Sequence, residues 1–151
     1  MTDRGRADEL QIDEELAPLT FRVTEEMNEN YLHAVEDVHP RYIGGPDAGP
    51  PIVHPALLIN FSNNTRSPSF SLPPGMASVH THEEVEYVNP ARVGKRLTVS
   101  WKVVARYERR GRPYQIVEAP IVDEDGTLIL TRRTTYTYTS VPYPGPRRDA
   151  E

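Results

Sequence analysis

Apolar and polar side chains alternate through the C-terminal half of the chain, as they do in half-buried strands. The pattern is clearest over 97–107, where one face carries Leu97, Val99, Trp101, Val103, Ala105 and Tyr107. Comparable runs cover 79–88, 114–122 and 128–139. The segments ERRGRP at 108–113 and DEDG at 123–126 are typical of tight turns. Together these patterns predict an antiparallel meander with one apolar face.

A first helix is predicted over 25–36. Thr24 is a good N-cap, and Glu25 and Glu26 would lie at the positive end of the helix dipole. The residues expected on its apolar face are Met27, Tyr31, Ala34 and Val35. Pro40 marks the point beyond which this helix cannot continue.

A second helix is predicted over 55–65, with Pro55 at its first position. It is apolar almost all round, through Ala56, Leu57, Leu58, Ile59 and Phe61. Such a helix is buried on most sides. Because the apolar face of the meander must also be covered, the simplest solution is a curved sheet wrapped around this helix.

The chain has 151 residues, enough for one domain. Its hydrophobic share of 37% is low, which predicts that residues 1–17 and 141–151 are flexible ends of a folded domain at 18–140. No cysteine is present, so a disulfide, a thiolate metal site and a Cys nucleophile are excluded. A net charge of −5 argues against a nucleic-acid partner. With no long apolar run, a cytoplasmic protein away from the membrane is expected.

Three segments resemble the MaoC-like dehydratases and hydratases: YLHAVEDVHPRYIG at 31–44, PPIVHPALLINFS at 50–62 and EVEYVNPARVGKRLTVSWKVV at 84–104. The resemblance implies an α+β hot-dog domain, an antiparallel sheet wrapped around a central helix. It also implies a CoA or acyl-carrier-protein thioester as substrate. A second hot-dog chain, identical or different, would be the partner. No cofactor and no metal are expected.

The resemblance also implies roles for particular residues. Members of this family move water and a proton across the double bond next to a thioester, using an Asp and a His as acid and base. Asp37 stands at the family's Asp, but Tyr42 stands at the His, and a phenol is a poor replacement for imidazole at neutral pH. Pro55 stands where catalytic members often have a Gly whose N–H faces the carbonyl, and proline has no N–H. Asp37 and His39 are the candidate catalytic residues, and Tyr42, His54 and Pro55 the candidate substrate-binding residues.

These departures favour a substrate-channel half that needs a catalytic hot-dog partner. An alternative is a self-sufficient enoyl-CoA hydratase in which His39 takes the missing role beside Asp37. A third reading is a cupin-like metal enzyme, because His80, His82 and Glu86 share one face of a regular strand. Against that reading, the same face could simply be solvated. The basic turn with Arg106, Arg109, Arg110 and Arg112 either meets CoA phosphates or is a solvated hairpin tip.

Overall fold

The computed structural model describes residues 7–141, which form one five-stranded antiparallel sheet and a few short helices. The strands are β1 (Glu15–Arg22), β2 (Met76–Tyr87), β3 (Arg96–Arg109), β4 (Arg112–Asp123) and β5 (Leu128–Ser140). They lie in the order β1-β3-β4-β5-β2. The helices are α1 (Glu25–Val35), α2 (Pro40–Ile43) and α3 (Pro55–Phe61), followed by a 3₁₀ turn at Asn64–Arg66.

The core lies between α3 and the inner face of the central strands. Leu97, Val99, Trp101 and Val103 of β3 are each at most 1% exposed, and they belong to one cluster with Leu57 and Leu58 of α3. The predicted alternation therefore identifies the buried face of β3. It ends before Tyr107, which is exposed and stacks on Tyr114 beyond a register shift between Val103 and Ala105. This arrangement confirms the predicted α+β hot-dog fold.

Two side chains from the sheet attach the C-terminal end of α3. The indole Nε1 of Trp101 donates to the Ser62 carbonyl at 2.8 Å, and Arg132 Nη1 donates to the Ile59 carbonyl at 2.8 Å. Arg132 is only 3% exposed. Its Nε lies 2.6 Å from Glu83 Oε1, a close ion pair that is not aligned as a hydrogen bond. Two carbonyls at the C-terminal end of the helix thus accept hydrogen bonds from side chains of the sheet.

Helix α1 begins as predicted, with Thr24 Oγ1 accepting from the Met27 amide at 3.2 Å. Its buried side differs from the prediction. Asn28 and Leu32 are buried, whereas Met27 and Val35 are exposed. A polar residue, Asn28, therefore lies on the buried side of this helix.

The N-terminal segment differs from the predicted flexible lead-in. Ala7 and Leu10 are buried, and β1 already begins at Glu15. The sequence of β1 gives a weak strand signal because Pro18 interrupts it and its register on β3 shifts between Leu16 and Leu19. Residues 1–6, the start of the first predicted tail, and 142–151, nearly all of the second, lie outside the described part of the chain. None of the described helices is long and apolar enough to cross a membrane.

We predict that Glu83→Gln destabilises the fold by about 1 to 3 kcal/mol, because it leaves the buried Arg132 guanidinium without its counter-ion. Urea denaturation followed by Trp101 fluorescence measures the change. Glu86→Gln is the matched control: Glu86 lies on the same strand and is exposed. A change within about 0.5 kcal/mol is expected there. Equal effects of the two substitutions would contradict the role of the ion pair.

Candidate functional site

The end of α1 and the beginning of α3 bring Asp37 and His54 together. Glu36 ends α1 in the left-handed conformation, with φ 56°, and turns the chain so that the Asp37 amide donates to the Leu32 carbonyl. His54 is the N-cap of α3, and Pro55 follows it as the first residue of the helix, where the proline ring favours the helical backbone. The Asp37 Oδ2 and His54 Nε2 atoms are 3.4 Å apart, in a partly exposed position. This distance is a contact, longer than a good hydrogen bond.

The imidazole of His54 has a defined structural task. Its Nδ1 accepts from the Ala56 amide at 3.2 Å, so the lone pair of that nitrogen is used in capping α3. In a neutral ring the proton then resides on Nε2, the nitrogen nearest Asp37. The neutral His54 ring can donate a proton from Nε2. It can accept one only at Nδ1, and protonation there would break the hydrogen bond from the Ala56 amide that caps α3.

Two tyrosines pack against the His54 ring. The Tyr42 ring centroid lies 4.8 Å from that of His54, and the Tyr31 centroid lies 5.0 Å away. Tyr42, which the sequence resemblance implied as the substitute for a catalytic His, therefore contacts His54 through a phenol ring. The structure thus brings Asp37, Tyr42 and His54 to one place.

His39, the predicted catalytic partner of Asp37, is placed differently. Its Nδ1 accepts from the Arg41 amide at 3.2 Å, making it the N-cap of α2. Its link to Asp37 is through the backbone, with the His39 amide donating to Asp37 Oδ1 at 2.9 Å. The ring itself is exposed, with its centroid 5.9 Å from that of Tyr42. The imidazole in contact with the Asp37 carboxylate is that of His54.

Asn28 holds the site together and was not identified from the sequence. Its side chain is 2% exposed. Oδ1 accepts from the His54 amide at 2.9 Å, while Nδ2 donates to the carbonyls of Tyr42 at 3.1 Å and Ile52 at 3.2 Å. One amide thus fixes α1, the end of α2 and the approach to α3. The available signal was an Asn four residues before Leu32, on a stripe that the helix buries.

The N-terminus of α3 offers no free amide in its first turn. Pro55 has no N–H, the Ala56 amide donates to His54 Nδ1, and the Leu57 amide donates to the His54 carbonyl at 3.0 Å. Positions 55–57 therefore have no N–H that is free to donate to a substrate carbonyl.

Two separate cavities flank this cluster. One, of about 390 Å³, is lined by Tyr42 and Pro55 together with Ile52, Val53, Leu58 and Tyr87. The other, of about 500 Å³, is lined by Asp37 with Glu29, Leu32, Glu36, Val38 and Ile43. Burial, followed by the nearby charge of Glu83, raises the pKa of the Tyr87 phenol above its usual range. Asp37 and Tyr42 thus line different cavities, and the one with Asp37 carries further carboxylates.

A β-bulge separates the histidines of the alternative, cupin-like metal site on β2. His80 pairs with Tyr136, but His82 pairs with Thr135, so an extra residue lies between them. Directly paired residues share a face of the sheet, so His80 faces inward, near Glu83 at 3.5 Å, while His82 faces outward. The cupin-like reading is therefore wrong about the geometry of His80, His82 and Glu86. The described residues contain no cluster of three or more metal-ligating side chains.

The four arginines of the basic turn do not lie together either. Arg106 points back to the N-terminal segment, where Nη1 donates to the Leu10 carbonyl at 2.7 Å. Arg109, Arg110 and Arg112 remain exposed at the tip between β3 and β4.

Comparison with known proteins identifies the family. Residues 11–132 match the model of the family described as FAS1-like, dehydratase domain region. The chain belongs to this family. The match covers all the structural elements described above except most of β5, which continues from residue 133 to 140 beyond it. It confirms, at the level of this dehydratase family and its fold, the resemblance predicted from the sequence.

Individual relatives agree with this assignment. A UPF0336 protein of Streptomyces griseus is 27% identical over 76% of this chain and 82% of its own length. The (R)-hydratase from A. caviae involved in PHA biosynthesis superposes with a TM-score of 0.67 at 19% identity, over 90% of this chain and 100% of its own. A chain of the HadBC (3R-hydroxyacyl-ACP dehydratase) complex from Mycobacterium tuberculosis gives 0.66 at 16% identity, over 86% and 98%. At these identities the two solved structures establish a shared fold.

We predict that Asn28→Ala lowers the free energy of unfolding by about 2 to 4 kcal/mol, because it leaves three backbone groups buried without partners. Asn30→Ala serves as control, since Asn30 is exposed on the same helix. A change within about 0.5 kcal/mol is expected for the control. Chemical denaturation measures both variants, and a loss at Asn28 no larger than that at Asn30 would contradict the bracing role.

Proposed function

We propose that this chain is a substrate-channel subunit of an acyl-thioester dehydratase or hydratase and works with a catalytic hot-dog partner. The observation that carries this proposal is the separation of the two cavities. The carboxylate of Asp37 lines one cavity together with two further carboxylates, whereas the other cavity has a single charged side chain in its lining and is the one we assign to the acyl chain. A chain built this way can bind an acyl group without presenting the acid and base to it.

The chemistry of the reaction supports the same proposal. Hydration of an α,β double bond delivers hydroxide to the β carbon and a proton to the α carbon. An acid and a base must share one water, and a donor must stabilise the enolate oxygen. In this chain the position of the base is a phenol, and the His54 lone pair caps α3. The helix N-terminus has no spare N–H in its first turn.

Strand β2 supports the presence of a partner. It lies at the edge of the sheet, and most of its twelve residues are exposed. A long edge strand with unpaired backbone groups favours pairing with another chain. The HadBC structure is a complex, as its name states, and its chain shares this fold. A partner chain would supply the missing imidazole and amide from its own helix.

A second candidate function rests on the contact between Asp37 and His54. In it the chain hydrates enoyl thioesters alone, with the His54 Nε2–H as acid and the Asp37 carboxylate as base, 3.4 Å apart. This differs from the assignment of Asp37 and His39 that the sequence suggested, because the His39 ring does not contact the carboxylate.

Reconstitution tests the proposed function. The purified chain should not hydrate crotonyl-CoA, and activity should appear when the hot-dog protein that co-purifies with it from its native cell is added. The loss of the enoyl absorbance measures the rate of hydration. Activity of the chain alone would refute the proposal and support the second candidate.

Two substitutions in the active complex separate the candidates further. Asp37→Asn is expected to change the rate by less than about threefold, whereas loss of a catalytic acid or base costs about 100-fold or more. His54→Asn keeps a side-chain oxygen to cap α3 but removes the imidazole. It should also be tolerated, and a large loss of kcat in either variant with unchanged stability would favour catalysis by this chain.

A further inference from the structure

We propose that Arg41 is an anion-recognition residue at the mouth of the 390 Å³ cavity, where its guanidinium binds a phosphate of the phosphopantetheine arm that carries the acyl group. This inference rests on the proposed function and names the part of the substrate that the chain recognises. The phosphate occurs both in CoA and on acyl carrier protein, so the chemistry is the same for either source.

The first observation is that Arg41 is the sole charged side chain among the described residues that line this cavity. The rest of the lining is aliphatic, aromatic or amide, including Ile52, Val53 and Leu58. A cation beside an otherwise uncharged cavity marks a place for a ligand that combines an apolar part with an anionic part.

The second observation is that the Arg41 guanidinium has no partner among residues 7–141. Its backbone is fixed on both sides: the amide donates to His39 Nδ1, and the carbonyl accepts from the Ile52 amide at 3.0 Å. The side chain is exposed and forms no ion pair, although the chain carries a net charge of −5. Most other cationic side chains near the sheet are engaged, as Lys95 with Asp123 and Arg133 with Glu118 show.

The third observation is that the two cavities beside Asp37, Tyr42 and His54 differ in the sign of their charged side chains. The neighbouring cavity carries Glu29, Glu36 and Asp37, so it repels an anion. Arg92 follows Ala91, which lines the cavity with Arg41, and its backbone pairs with that of Ile52. Arg92 Nη1 donates to the Pro50 carbonyl at 2.9 Å, which leaves Arg41 as the unpartnered cation on this side among the described residues. A cation here and carboxylates in the neighbouring cavity favour entry of an anionic thioester at the 390 Å³ cavity. A guanidinium suits a phosphate because it offers several N–H donors in one plane.

Calorimetry of the purified full-length chain tests the proposal with three probes: butyryl-CoA, butyryl-phosphopantetheine and butyryl-pantetheine, the last of which lacks phosphate. The two phosphate-bearing probes should bind more tightly than the third. Arg41→Gln should weaken them by about tenfold, the loss expected for a charge-assisted hydrogen bond. Binding of butyryl-pantetheine should stay within about twofold, since no charged contact is lost. Arg41→Lys should retain part of the difference.

Arg109→Gln is the control, because Arg109 belongs to the exposed basic turn that the sequence also offered for phosphate binding. It should leave all three affinities unchanged. Loss of phosphate-dependent binding in Arg109→Gln, or its persistence in Arg41→Gln, would overturn the assignment. Weaker binding of succinyl-pantetheine in Arg41→Gln without any effect on butyryl-CoA would overturn it too, by assigning Arg41 to an acyl carboxylate.

The outcomes also separate this inference from the proposed function. If butyryl-pantetheine and butyryl-CoA bind equally well, acyl binding stands and the role of Arg41 fails. If neither binds to the chain or to its active complex, the channel function fails and the inference fails with it. Butyryl-loaded acyl carrier protein tests whether the phosphate is the one that both carriers share: an equal loss with CoA and carrier protein assigns the phosphate of the phosphopantetheine arm, and a loss with CoA alone would overturn that assignment.

Discussion

A short helix buried inside a protein must have its end groups satisfied by other parts of the chain, and α3 is governed by this constraint. With seven residues, most of its amides and carbonyls lack partners within the helix. Trp101 and Arg132 satisfy the C-terminal carbonyls, and His54 satisfies the N-terminal amides. The latter solution has a chemical consequence, because an amide that donates to His54 cannot also donate to a substrate oxygen. Stability of the helix and polarisation of a substrate compete for the same groups.

Much of the fold follows from local patterns because those patterns reflect burial directly. The alternation in β3 survives as an inner face that is almost fully buried, and Thr24 caps α1 as its position implies. Strand β1 escaped prediction because Pro18 breaks its alternation and its partner, β3, lies far away in sequence. The burial of Asn28 was not predicted because an amphipathic pattern identifies buried positions by apolar residues, whereas this buried position carries an amide. Only the distant carbonyls of Tyr42 and Ile52 explain it.

The candidate site shows the same division between local and distant information. The sequence assigns Asp37 and Tyr42 to one segment of the family resemblance and His54 to another, and in the structure His54 contacts both of them. It could not tell which histidine faces Asp37, since that depends on how each ring is held. His39 and His54 both precede a proline, and both cap a helix through Nδ1. The two motifs look alike in sequence, yet only the second is oriented by Asn28 toward the carboxylate.

The bulge in β2 affects more than the two histidines it separates. Residue Thr81 has no counterpart on β5, so the strand consists of two regular runs joined by an irregular step. Since an extra residue re-aims the peptide groups around it, the outer edge of β2 does not offer one continuous ladder to a neighbour. A strand that joins this edge must match one run or carry a compensating irregularity of its own. Backbone spacing thereby limits which chains can extend the sheet, before any side chain is compared.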